Sequence, residues 1–207
     1  MSRTLASVLV ATLVSAVPAF AQSTVGAGKA ELTLAPAGWV SFNKPDVFPE
    51  PAFSQFLLGG TITVNWGGVG IEGELFLALG RSQDLEFGSS SVKQTTPDVV
   101  LDAVSLIVPV LGNRRTAVPY ISAGIGEITV MRTPDDVQQP DTETFTTGNF
   151  GGGVKWYSSG RWGFRGDYRF VVMRSKFASP GSFIGEELRK IHRFYGALVV
   201  NLIPLNP

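Results

Sequence analysis

The stretch TGNFGGGVKWYSSGRWGFRGDYRFVVMRSK, from Thr147 to Lys176, decides how the whole chain folds. Ser158, Ser159, Gly160 and Arg161 supply a tight turn, and apolar and polar residues alternate up to it on both sides, so the stretch is expected to form a β-hairpin. After the turn, Trp162, Phe164, Gly166, Tyr168, Phe170 and Val172 share one face, while Arg165, Asp167 and Arg169 share the other. Before it, Phe150, Val154 and Trp156 lie together and Lys155 lies opposite. Period two means strands with one apolar and one charged side. Two insides are then possible: in a soluble barrel the rings point inward, whereas in a membrane barrel they meet lipid and the charges fill the lumen.

Outward from this hairpin the same alternation recurs. Candidate strands run over Lys29 to Phe42, with Leu32 and Leu34 opposite Glu31 and Thr33, and over Gln55 to Trp66, with Phe56, Leu58, Ile62, Val64 and Trp66 together. Val69 to Arg81 follows, setting Ile71, Leu75, Leu77 and Leu79 against Glu72 and Glu74. Asp98 to Val110 is strongly apolar and its facing stays open; Thr116 to Met131 alternates again, and Leu188 to Ile203 carries Phe194, Leu198, Val200 and Leu202 on one side. With the hairpin this makes eight strands. The connections alternate in length: Asn43 to Ser54, Ser82 to Pro97, Arg132 to Thr142 and Ser175 to Glu187 are long and polar, whereas Gly67-Gly68, Leu111 to Arg115 and the Ser158–Arg161 turn are short. An up-and-down barrel with tight turns at one end and extended loops at the other has this pattern, with both termini on the tight-turn side.

The amino terminus stands apart. Arg3 begins it, Leu5 to Val17 is an apolar run, and Ala19-Phe20-Ala21 fits a small-x-small cleavage site. Residues 1–21 are expected to be a cleaved signal peptide and residues 22–207 the barrel domain. The chain has 17 basic and 17 acidic residues; without Arg3 the balance is 16 against 17, or −1, which gives no basic footprint for a nucleic acid. It has no cysteine, so neither disulfides nor thiolate metal sites hold it together. Its 24 glycines and 11% aromatic content suit a curved, closed sheet.

Crowding decides between the two insides. An eight-stranded barrel has an interior only just wide enough for side chains to fill. Trp66, Trp156, Trp162, Phe164, Tyr168, Phe170 and Phe194 do not fit there together, so these rings are expected to face lipid. Glu72, Glu74, Lys155, Arg165, Asp167 and Arg169 are then expected to form a lumen charge network, with carboxylates of the third strand pairing guanidinium groups of the seventh. Buried charges persist only when paired.

The chain resembles the small outer-membrane β-barrel proteins, a porin-like family that includes the barrel domain of outer-membrane protein A. The resemblance rests on PYISAGIG from Pro119 to Gly126, on FGGGVKWYSSGRWGFRGDYRF from Phe150 to Phe170, and on RFYGALVVNL from Arg193 to Leu202. It implies an all-β, eight-stranded antiparallel transmembrane barrel with short periplasmic turns and four longer extracellular loops, located in the outer membrane of a Gram-negative cell envelope. Implied partners are outer-membrane lipids and the assembly machinery, and no cofactor. Members usually finish on an aromatic residue, whereas this chain finishes Pro204-Leu205-Asn206-Pro207.

Few residues suggest chemistry. Lipid A-modifying barrels carry a His-x-Ser arrangement with a supporting carboxylate, but the residue two after His192, the only histidine, is Phe194. A Ser-His-acid site has no base elsewhere. Asp135, Asp136, Asp141 and Glu143 cluster without the spacing of a calcium loop. Gly151-Gly152-Gly153 lacks the Lys-Ser/Thr of a phosphate loop and suits close packing or sheet curvature instead. The expected function is a non-enzymatic, structural or surface-interaction barrel with at most a narrow pore. The alternatives are a lipid A-modifying barrel enzyme and a soluble exported barrel that binds an apolar ligand.

Overall fold

A computed structural model describes residues 26–44, 51–66, 68–87, 90–112, 116–131, 142–158, 160–174 and 188–203. Every element among them is a strand: β1 (Ala30–Phe42), β2 (Phe53–Trp66), β3 (Val69–Leu79), β4 (Ser82–Phe87), β5 (Ser90–Thr95), β6 (Val99–Pro109), β7 (Ala117–Met131), β8 (Thr142–Tyr157), β9 (Trp162–Arg174) and β10 (Leu188–Ile203). Eight of them close into a barrel in the order β1-β10-β9-β8-β7-β6-β3-β2, and every pairing is antiparallel. Closure leaves no barrel strand with an unpaired edge, as a sheet surrounded by hydrocarbon requires.

The strands tilt. From Val40, partners run through Arg193, Arg169, Gly151, Ser122, Ile107, Gly70 and Asn65, whose amide bonds the carbonyl of Lys29. A full circuit therefore descends from residue 40 to residue 29 on one strand, the stagger that inclines the strands of a small barrel by about 40°. A register shift at Ala35–Gly38 interrupts β1. Pro36 lies in that bulge, where its missing N–H costs no ladder bond.

The inside is layered. Towards the long-loop end Phe42 stacks on Phe53 at 4.4 Å, with Leu57, Phe76, Met173 and Ile191 buried nearby. Towards the short-turn end a smaller cluster joins Ala27, Val118, Tyr157 and Val199. Between them the interior is polar. One glycine of the Gly151-Gly152-Gly153 run is required there: a Cβ on Gly153 would stand 2.1 Å from the Gly166 carbonyl and 2.5 Å from the Tyr120 hydroxyl. Gly112 adopts φ +81° in the short connection after β6, where an L side chain would be strained.

Three features go beyond the sequence expectation. Ser82 to Pro97 is not an irregular loop, because β4 and β5 pair there as a separate hairpin from Ser82↔Thr95 to Phe87↔Ser90. Its β5 strand is exposed along its whole length, so no buried face imposes period two on the sequence. The hairpin is fastened to the barrel by Leu85, which is fully buried, and by the Gln83 side chain, which bonds the Ser54 backbone. Strand β8 begins at Thr142, five residues before the glycine-rich stretch, and pairs Thr142–Thr146 with β7. Strand β6, the apolar run of open facing, buries Leu101, Ser105 and Ile107 and turns Asp102, Val104 and Leu106 outward. The segment 1–25, the Asp135–Asp141 cluster and the Pro204–Pro207 tail lie outside the described residues.

Candidate functional site: the charged interior

Period two on β9 puts Arg165, Asp167 and Arg169 on the inner face, two residues apart in turn. Asp167 joins its neighbours, accepting from Arg165 Nη2 at 2.7 Å and from Arg169 Nε at 2.9 Å. Glu72 of β3 faces them. It takes two bonds from Arg165, through Nη1 and through Nη2 at 2.9 Å, and one from Arg169 Nη2 at 2.9 Å. The β2 hydroxyls of Thr61 and Thr63 donate to the same carboxylate at 3.1 and 2.7 Å. Tyr120 of β7 donates to Asp167 and accepts from Arg165 Nε at 2.7 Å, while Arg169 Nη1 reaches Asn149 of β8 at 3.1 Å and Ser105 of β6 at 3.2 Å. Strands β2, β3, β6, β7, β8 and β9 thus meet in one hydrogen-bonded cluster.

Two further pairs flank it. On the short-turn side Lys155 and Tyr157 of β8 both bond Glu31 of β1. On the long-loop side Arg193 of β10 bonds Glu74 of β3 at 2.7 Å and lies over the Phe76 ring at 4.7 Å. Four interior carboxylates, Glu31, Glu72, Glu74 and Asp167, therefore pair with four interior cations, Lys155, Arg165, Arg169 and Arg193, and all eight are buried. A fifth buried cation, Arg189 of β10, donates to the Pro51 carbonyl at 2.5 Å and lies over the Phe53 ring at 5.0 Å. Pairing with near-complete hydrogen bonding is the condition under which ions survive away from water. Beyond the pairs, Asn65 Nδ2 bonds the Gly28 carbonyl at 2.7 Å and Gly28 N bonds Asn201 Oδ1 at 3.0 Å, drawing the chain before β1 across the short-turn mouth.

Of the six residues expected in the lumen, the structure brings Glu72, Arg165, Asp167 and Arg169 into one cluster and gives Lys155 and Glu74 other partners. Sequence reasoning did not single out Glu31, Tyr120, Tyr157 or Arg193. Glu31 carries the same signal as Glu72, a carboxylate opposite leucines, whereas Tyr120 and Tyr157 look like any ring of an aromatic girdle. The expected outward rings sit on the outside: Trp66, Trp156, Trp162, Phe164, Tyr168 and Phe194 are exposed and Phe170 is half-buried. Trp66, Trp156 and Trp162 all stand at the short-turn end. His192 is on the outside as well, its Nδ1 2.7 Å from the Tyr168 hydroxyl and its ring against the edge of Phe170 at 5.3 Å. It contacts neither a serine nor a carboxylate in those interactions. Among the described residues no group of three His, Cys, Asp or Glu side chains is placed to hold a metal.

Solved outer-membrane barrels share this architecture. Neisserial surface protein A superposes with a TM-score of 0.58 at 10% identity, covering 85% of this chain and 99% of that one. The N-terminal barrel domain of OprF from Pseudomonas aeruginosa gives 0.50 at 14% identity, over 84% and 98%. Ail, the attachment invasion locus protein of Yersinia pestis, solved with the heparin analogue sucrose octasulfate, gives 0.52 at 12%, over 84% and 98%. No curated protein sequence matches significantly. The sequence pattern of the outer membrane protein beta-barrel domain matches residues 7–193, so the chain belongs to that family of outer-membrane β-barrel proteins.

Proposed function

We propose that this outer-membrane barrel is a non-enzymatic scaffold, exported through a signal peptide at residues 1–21, whose closed interior presents long extracellular loops to the surroundings. The carrying observation is the cluster of Glu72, Arg165, Asp167 and Arg169, which occupies the lumen with bonds from six strands. A barrel held shut from within supplies rigidity and not transport, so its conductance is at most that of a narrow pore. The rings of Trp66, Trp156, Trp162, Phe164, Tyr168, Phe170 and Phe194 face lipid in this reading, and the membrane's assembly machinery inserts the barrel. The β4–β5 hairpin extends the surface offered on the loop side, which is where barrels of this class vary and bind.

Brominated phospholipids test the reading. Reconstituted protein should lose most of its tryptophan fluorescence to quenchers on the acyl chains, because three of its four tryptophans are exposed on the outer wall. Fluorescence that resists such quenchers, with the protein recovered from the soluble periplasmic fraction, would instead support an exported soluble barrel. Unchanged lipid A in cells with and without the protein is expected for a scaffold; a modified lipid A that reverts on His192→Ala would support the enzyme.

A further inference from the structure

We propose that residues 26–28 form a releasable strap over the short-turn mouth, so that the barrel interior opens to water from that end alone. This rests on the closed-interior reading above. Two kinds of closure shut the lumen. At the long-loop end it is shut by side chains of the barrel strands themselves, with Phe42 of β1 stacked on Phe53 of β2 and with Met173 of β9 and Ile191 of β10 buried in the same cluster. At the short-turn end it is shut by a length of chain that belongs to no strand.

Backbone pairing at this end starts at Lys29, whose amide bonds the Ile203 carbonyl at 2.6 Å and whose carbonyl accepts from the Asn65 amide at 2.8 Å. Ahead of Lys29 the backbone is held by two buried asparagine side chains instead. Asn65 Nδ2 of β2 donates to the Gly28 carbonyl at 2.7 Å. Asn201 of β10 accepts from Gly28 N at 3.0 Å and donates to the Gly26 carbonyl at 2.9 Å. Ala27, between those two anchored residues, is buried in one cluster with Tyr157, Val199 and Val118, the last on β7 at the wall opposite β1. The strap thus lies across the mouth and sets a methyl group into it.

The bonds that seat the strap are neutral and few, and segments held in that way open at lower free energy than a closed sheet. Opening also strands no ion. Glu31 accepts from Gly28 N at 3.1 Å, yet it keeps Lys155 and Tyr157 when water takes the place of that amide. Asn201 likewise keeps its bond to the Gly160 carbonyl in the turn between β8 and β9. Water entering behind the strap would meet Glu31 and Lys155 and stop at the Arg165–Glu72 pair, which spans the lumen. The barrel then holds a one-sided vestibule and not a pore.

Thiol labelling tests this, because the chain has no cysteine of its own. Val118→Cys reports from behind the strap, and Ala78→Cys, buried on β3, reports from behind the long-loop closure. In detergent micelles both mouths meet water, and a charged methanethiosulfonate should modify the Val118→Cys chain several-fold faster than the Ala78→Cys chain. Two strap variants are then added to each. Asn65→Ala/Asn201→Ala removes the fastenings, and Gly28→Ala would set a Cβ 2.7 Å from the Ile203 carbonyl and so keep the strap from seating. Each should raise the first rate several-fold further and leave the second unchanged. A rise in neither variant, or an equal rise at both positions, would overturn the proposal. So would loss of heat-modifiable gel migration in both strap variants, because the segment would then be part of the barrel and not a strap on it. Fast, equal labelling of the two chains with an intact strap contradicts the closed interior itself, whereas slow, equal labelling contradicts the strap alone.

Discussion

Arg165 and Glu72 form a two-point ion pair across the full width of the barrel, from β9 and β3, which stand four strands apart in the eight-strand ring and so on opposite walls. A guanidinium fork on a carboxylate fixes distance and orientation together. The pair ties together strands that share no backbone hydrogen bond, and Asp167 and Arg169 brace it from the side.

Glu72→Gln should therefore destabilise the barrel by about 3–5 kcal/mol, because two buried guanidinium groups lose their shared anion. Urea unfolding in detergent micelles, followed by heat-modifiable migration, reads the change. Arg169→Ala should cost less than Arg165→Ala, since Arg165 makes two bonds to Glu72 and Arg169 makes one. Unchanged melting of either arginine variant would contradict the pairing.

The Glu31 cluster should show a graded response. Tyr157→Phe removes one neutral donor and should cost about 1 kcal/mol, whereas Glu31→Gln strands the buried Lys155 ammonium and should cost about 3 kcal/mol or more. The same unfolding assay separates them, and equal losses would mean that Lys155 reaches water.

Glycine substitutions should divide by position. Gly153→Ala should destabilise by about 1–3 kcal/mol, and Tyr120→Phe should not rescue it, because the closer clash is with the Gly166 carbonyl of the neighbouring strand. Gly148→Ala and Gly166→Ala meet no atom within 4 Å and should leave unfolding nearly unchanged. A Gly153→Ala barrel of wild-type stability would show that the sheet yields there.

At the loop end, Arg81 lies over the Trp39 ring at 4.9 Å and its Nε bonds the Ser54 carbonyl at 3.2 Å, anchoring the base of the β4–β5 hairpin. Trp39→Leu should lose about 0.5–1 kcal/mol and speed proteolysis within Ser82–Thr95 while sparing the barrel. Cleavage at the wild-type rate would count against the anchor.

Strands that meet two different solvents were legible in the sequence. On β9 and β3 the alternation of rings or leucines with charges is strict, and the volume of an eight-stranded interior decided which side was in. Where the two faces do not differ, the signal vanished. The β5 strand is wet on both sides, and β6 is apolar on both sides apart from the inward Ser105 and the outward Asp102, whose position opposes the rule that charges go inside. Partner choice was less legible than facing. Glu72 and Glu74 are two residues apart on the same side of β3, yet the barrel stagger carries Glu72 to Arg165 and Arg169 and carries Glu74 to Arg193 on β10. Pairing across a lumen depends on tilt and stagger, which no single strand encodes.

Single-channel recording in a planar bilayer tests the closed interior most directly. The wild-type barrel should give no resolved steps, or only rare small ones, while Arg165→Ala, which removes the side chain spanning the lumen to Glu72, should open more often and to larger steps. A large, stable wild-type conductance that Arg165→Ala leaves unchanged would contradict the account.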